Sequence, residues 1–65
     1  MTTVADLLAA RAASRQYRME ASRLRREAED AVAAGKPRHA KALRFYADMV
    51  AHAADVEVRA AGGES

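Results

Sequence analysis

The spacing of small and apolar residues along the chain predicts two long helices. These residues recur at alternating intervals of three and four, the pattern of a helix that packs along a neighbouring helix. In the first half of the chain the row consists of Leu7, Ala10, Ser14, Tyr17, Ala21, Leu24, Ala28 and Ala31. In the second half it consists of Ala40, Leu43, Ala47, Val50 and Ala54. We therefore expect an all-α protein with a coiled-coil-like seam.

Helix-capping residues give the boundaries of the two helices. Thr3 followed by Asp6 resembles a capping box, Gly35 suits a helix C-terminus that needs positive φ, and Pro37 suits a first helical turn. Gly62 and Gly63 should end the second helix. We predict one hairpin domain over residues 1–65, with helices over about 4–34 and 37–61, a turn at 35–36 and a tail at 62–65. So short a connection makes the helices antiparallel.

Folding the chain about this turn places large seam residues opposite small ones, for example Leu43 opposite Ala28 and Leu24 opposite Ala47. It also brings opposite charges together. The acidic residues Asp48, Asp55 and Glu57 should return beside the arginine-rich middle of the first helix. Near the turn, the acidic set Glu27, Glu29 and Asp30 should lie near the basic set Lys36, Arg38, Lys41 and Arg44.

The second helix has a further apolar row, which lies beside its seam. This row consists of Ala42, Tyr46, Met49, Ala53, Val56 and Ala60, with Phe45 at its margin. The two rows together cover roughly 200° of the helix, more than one neighbouring helix can bury. We expect Phe45, Tyr46, Met49, Ala53 and Val56 to form a protein interface, most simply in a homodimeric four-helix bundle. A larger protein partner, or an apolar row that stays exposed, are the alternatives.

A stripe of arginines follows the first helix. Arg11, Arg15, Arg18, Arg25 and Arg26 fall within about 100° of its circumference. Such a stripe is a possible binding surface for a polyanion, such as the backbone of RNA or DNA. It could equally be a solvated flank that pairs with acids across the hairpin. The net charge of +2 is too small to indicate nucleic-acid binding by itself.

Composition and the remaining polar residues favour binding over catalysis. A chain of 65 residues without cysteine has a small core and no disulfides, so association is its simplest source of extra stability. His39 and His52 lie about 140° apart on the second helix, too far apart to share a metal ion. No histidine is expected near Ser14 or Ser22, and a hairpin should lack a concave pocket.

We therefore expect no catalytic, cofactor or metal site and no small-molecule substrate. No apolar run approaches the roughly 20 residues of a membrane span, so we expect no membrane contact and a cytoplasmic location. The leading hypothesis is a small interaction or regulatory protein that docks through the second helix. The alternative is a dimeric nucleic-acid-binding protein that uses the arginine stripe.

Overall fold

The computed structural model describes residues 3–61, which form two helices packed against each other. Helix α1 spans Val4–Ala33 and helix α2 spans Pro37–Ala60. Each helix begins at the predicted residue and ends one residue before its predicted end. The described part of the chain contains no strand. The predicted tail at 62–65, with its Gly62-Gly63 stop, lies outside the described residues.

A capping box begins α1, as the sequence predicts. The backbone N–H of Asp6 donates to the Thr3 hydroxyl at 3.1 Å, and the backbone N–H of Thr3 donates to the Asp6 carboxylate at 3.2 Å. The pair satisfies amide groups that have no partner inside the helix. Loss of such a cap typically destabilises a helix by about 1 kcal/mol.

The connection between the helices is a Schellman turn built on Gly35. This glycine has φ of +75°, the left-handed conformation that side chains disfavour. The N–H of Lys36 donates to the carbonyl of Ala31 at 2.8 Å, and the N–H of Gly35 donates to that of Val32 at 3.0 Å. Pro37 then occupies the first position of α2, where its missing N–H costs nothing. The chain thus reverses within three residues.

Small residues fill the centre of the seam. The most deeply buried ones recur every seven residues on each helix and are at most 4% exposed: Ser14, Ala21 and Ala28 on α1, and Ala40, Ala47 and Ala54 on α2. Ala10 and Ala31 are also buried. Because these side chains are so short, the two helix backbones can approach closely along their length.

Large residues of the predicted seam lie at its margins. Leu7, Leu24, Leu43 and Val50 are only half-buried, and Tyr17 is 37% exposed, so its predicted place inside the seam is wrong. No large side chain among residues 3–61 is fully buried. The close approach of two alanine-rich helices leaves no space between them for a leucine or tyrosine, which instead covers one side.

The hairpin is long and thin. Its principal dimensions are 49 × 15 × 12 Å, and its accessible surface is 5101 Å². A compact globular protein of 7.0 kDa would expose about 4,000 Å². The hairpin therefore exposes about a quarter more surface than a compact fold of its mass, and its outer sides determine what it can bind.

Candidate interaction surfaces

The predicted interface residues form an exposed surface on α2, which we call the apolar face: Phe45, Tyr46, Met49, Ala53 and Val56. The exposed fractions of the four larger side chains run from 47% for Val56 to 64% for Phe45. The Phe45 and Tyr46 rings meet edge to face, with centroids 6.4 Å apart and planes at 66°. About half or more of the surface of each of these four side chains is therefore exposed to solvent.

The apolar face continues across the margin of the seam. Val50 and Leu43, both half-buried, lie one turn from Tyr46 on the same side of α2. Helical geometry places Tyr17 and Leu24 of α1 on this side as well. One side of the hairpin is therefore apolar across both helices.

Charged residues of α1 border this side with a network of their own. Arg23 lies between Glu20 and Glu27; its Nε donates to Glu20 at 3.3 Å, one terminal nitrogen donates to Glu27 at 3.3 Å, and the other pairs with Glu20. The hydrogen bond to Glu20, with the charges of Glu20 and Glu27, raises the pKa of Arg23. These three charges are satisfied within one helix, and they give the apolar side a polar rim.

Two ion pairs mark the opposite side of the hairpin. Arg18 lies 3.6 Å from Asp55, and Arg25 lies 3.6 Å from Asp48. The pairs are seven residues apart on each helix, so they repeat with the seam. The expected return of Asp48 and Asp55 alongside the arginines is confirmed, whereas Glu57, the third acid of that prediction, forms no ion pair with any described residue. All four side chains are more than half exposed, and such pairs stabilise a fold by at most about 1 kcal/mol.

The other three arginines of the stripe have no acidic partner. Arg11, Arg15 and Arg26 form no ion pair with any residue between 3 and 61. The stripe is thus partly paired and partly free. Glu29 and Asp30 form no ion pair with the basic residues after the turn within residues 3–61. Glu29 nevertheless lies near Arg44, as predicted, because both line one small hollow.

The free arginines surround a shallow groove of about 570 Å³, which we call the arginine groove. It is lined by Arg11, Ser14, Arg15, Arg18, Met19, Ser22, Arg26 and Val58. Its volume lies within the range of small-molecule sites, roughly 300–1,000 Å³. The groove is shallow and open, and Val58 of α2 and Met19 of α1 add apolar surface to its lining between the long arginine side chains.

Ser14 is a buried polar group in this groove. It is 4% exposed, and its hydroxyl has no hydrogen-bond partner among the residues that the structure describes. The equivalent positions one and two heptads later are Ala21 and Ala28. Sequence reasoning placed Ser14 in the seam but did not connect it with the arginines. The spacing could have shown this, since Arg11 and Arg18, three residues before it and four after it, are its neighbours on the helix surface.

A smaller hollow lies further along the same side. Arg25, Glu29, Arg44 and Asp48 line a volume of about 300 Å³. This hollow holds two basic and two acidic side chains, so its charges balance. The arginine groove has four basic side chains and no acidic one in its lining. Of these two hollows, the arginine groove is therefore the one whose lining has uncompensated positive charge.

Neither helix is long and apolar enough to cross a membrane, over residues 3–61. Within the same range, no three metal-ligating side chains are grouped closely enough to hold a metal ion. Comparison with protein-family models, with curated proteins and with solved structures finds no match to this chain.

Proposed function

We propose that the chain is a small, non-enzymatic interaction or regulatory protein whose apolar face binds a second copy of the chain. The observation that carries this proposal is the row of large, exposed apolar side chains on α2. A contiguous exposed apolar surface of this kind usually marks an interaction site. The hairpin's own core consists of alanines, which contribute little hydrophobic stabilisation each.

The surface area supports a second copy as the partner. Two separate hairpins expose about 10,200 Å², twice the 5101 Å² of one. A compact protein of the combined mass would expose about 6,700 Å². The difference, about 3,500 Å², falls in the range of 2,000–5,000 Å² that obligate homodimers bury. A four-helix bundle of two hairpins would therefore remove the excess surface.

Charge distribution supports the same arrangement. The apolar face is self-complementary under two-fold symmetry, because the same residues meet from both chains. Three charges of α1 that border this side, Glu20, Arg23 and Glu27, already pair with each other and can stay at a solvated rim. Dimerisation would bury no unpaired charge from this network.

The test is molar mass in solution by light scattering, with helicity recorded on the same sample. The wild-type chain should be a helical dimer, and Tyr46→Glu with Met49→Glu should give a monomer, because each buried carboxylate would be desolvated without a partner. The matched control is Leu8→Glu with Met19→Glu, which changes two equally exposed apolar residues of α1 and should leave the dimer intact.

A monomeric wild-type chain would overturn the homodimer and direct the search to a different protein partner for the same face. A dimer that survives Tyr46→Glu with Met49→Glu would show that another surface joins the two copies. Loss of the dimer in the control variant as well would mean that the outer side of α1 takes part.

Nucleic-acid backbone binding is a second candidate function, and one specific observation favours it. Arg11, Arg15 and Arg26 lack acidic partners among the described residues and line one groove. Since α1 turns this groove away from the apolar face, a dimer would leave both grooves open. Binding of a mixed RNA and DNA pool at low salt tests the idea. Its absence there would remove this candidate.

A further inference from the structure

We infer that the arginine groove contains a phosphate-binding site centred on the hydroxyl of Ser14, with Arg11, Arg15 and Arg18 as its other donors. The inference rests on the second candidate function and names the contact through which it would operate. The site lies in the arginine groove and not on the apolar face, so it is independent of dimerisation.

The helix brings these four side chains together. Arg11 and Arg18 stand three residues before and four after Ser14, so they are its neighbours on the surface of α1, and Arg15 lies one turn from both of these arginines. All four line the same groove. A guanidinium offers a planar fork of N–H donors that fits phosphate oxygens, and the serine adds a single O–H donor beneath them.

Ser14 occupies a seam position and is the only polar residue among the buried residues of the described chain. Ser14 is only 4% exposed, and alanine would fill the same space, as Ala21 does one heptad later. Among the described residues no buried side-chain nitrogen or oxygen lacks a hydrogen-bond partner, so the unpaired hydroxyl is the part of Ser14 that remains accessible. The Ser14 hydroxyl has no partner among residues 3–61, yet it opens onto a groove lined by arginines. An oxygen of a bound anion would accept the hydrogen bond that the hairpin leaves unmade.

Electrostatics restricts the ligand to an anion. The groove lining contains four arginines and no carboxylate, and only Arg18 has an acidic partner, the exposed Asp55 at 3.6 Å. The smaller hollow on this side is balanced by Glu29 and Asp48, so it lacks the same attraction. Of these two hollows, only the one around Ser14 therefore carries an excess of positive charge.

The number of donors favours phosphate over carboxylate. Three guanidinium forks and one hydroxyl present more hydrogen-bond donors than the two oxygens of a carboxylate can accept. A phosphate group has at least two charged oxygens and further acceptors on the same tetrahedral centre. Its source is either a nucleic-acid backbone or a small phosphorylated compound, and the experiment separates these.

The experiment is a titration of the ¹⁵N-labelled full chain, followed by amide NMR shifts. The two probes are inorganic phosphate and a single-stranded RNA oligonucleotide of mixed sequence, both at constant low ionic strength. Each is titrated into the wild type, Ser14→Ala and Arg15→Gln. Arg38→Gln is the charge control, because it removes one exposed positive charge from the start of α2, outside the groove.

Phosphate should shift the amides of residues 11–18, and Ser14→Ala should raise its Kd about fivefold by removing one charge-assisted hydrogen bond. Arg15→Gln should raise the Kd about threefold. The increase in Kd caused by Arg38→Gln should be less than half of the increase caused by Arg15→Gln. Because alanine suits the seam, Ser14→Ala should keep the wild-type helicity by circular dichroism. This keeps a loss of binding distinct from a loss of fold.

An unchanged Kd in Ser14→Ala, or equal effects of Arg15→Gln and Arg38→Gln, would overturn the site. If RNA still binds in that case, nucleic-acid backbone binding remains the second candidate function, but without a phosphate site at Ser14. If phosphate binds through Ser14 and RNA does not, the site stands, its ligand is a small phosphorylated compound, and the nucleic-acid candidate fails. If neither probe binds, both fail.

Discussion

The two sides of the hairpin share one seam and differ in which of their charged residues form ion pairs. On the apolar side, the charges that border the face pair within α1, as Arg23 does with Glu20 and Glu27. On the groove side, Arg18 and Arg25 reach across to α2, while Arg11, Arg15 and Arg26 have no acidic partner in the described chain. The apolar side thus exposes the large apolar residues of the apolar face, and the groove side exposes three arginines that have no acidic partner within residues 3–61.

One narrow alanine seam can therefore support two unrelated candidate binding surfaces. A wide core would use leucine and tyrosine side chains from both sides of the helix pair. Here Tyr17 and Leu24 lie at the margin of the seam, on the same side as the exposed Tyr46 and Met49, and the arginines border a groove on the other side. The two proposed functions can therefore be separated by experiment.

Of the three changes, a change of salt concentration should show the largest difference between binding at the two sides. Raising NaCl tenfold, from 50 to 500 mM, should weaken RNA binding about 100-fold, because the three free arginines of the groove would release about two counterions in total on a single strand. Over the same range the dimer Kd should change less than about threefold, since apolar contacts dominate its interface. Fluorescence anisotropy and light scattering measure the two. Equal salt dependence would contradict the assignment of different chemistry to the two sides.

A larger residue in the seam should destabilise the whole hairpin and therefore weaken binding at both of its sides. Ala47→Leu inserts a large side chain where the native residue is fully buried, and it should destabilise the hairpin by about 2 kcal/mol through overpacking. Urea unfolding at fixed chain concentration measures the loss. Ala12→Leu, at an exposed position of α1, is the control and should change stability by less than about 0.5 kcal/mol. A tolerated Ala47→Leu would show that the helices are not held at close distance.

The smallest effect should come from the ion pairs of the groove side. A double-mutant cycle of Arg18→Ala and Asp55→Ala should give a coupling free energy of at most about 0.5 kcal/mol, because both side chains are more than half exposed. Urea unfolding of the four chains measures it. A coupling above 1 kcal/mol would mean that this side contributes to folding as well as to binding.

Local signals in the sequence predicted the fold well. Thr3 with Asp6 and Gly35 with Pro37 act through backbone groups only a few residues away, so their structures follow from the residue types. The seven-residue spacing of the alanines determined the seam and the antiparallel register. The position of Tyr17 was wrong, because the distance between the helices depends on all the small residues together.

The candidate surfaces were only half predictable. Periodicity gave the apolar face directly, since its residues lie on one helix. The arginine groove depends on two helices and on which arginines meet an acid. One signal was present: Asp48 and Asp55 are spaced as Arg25 and Arg18 are, which leaves the rest of the stripe unmatched. The groove floor of Met19 and Val58 requires side-chain positions that no spacing rule supplies.

The alanine seam also has a consequence for how this chain can diverge. Positions such as Ala28, Ala47 and Ala54 admit almost no residue larger than alanine, whereas most of the other described residues are exposed and free to change. Descendants of the chain could therefore exchange one binding partner for another by surface substitutions while keeping the same hairpin. Their shared ancestry would be recorded mainly in the spacing of alanines, a pattern that unrelated helices acquire easily.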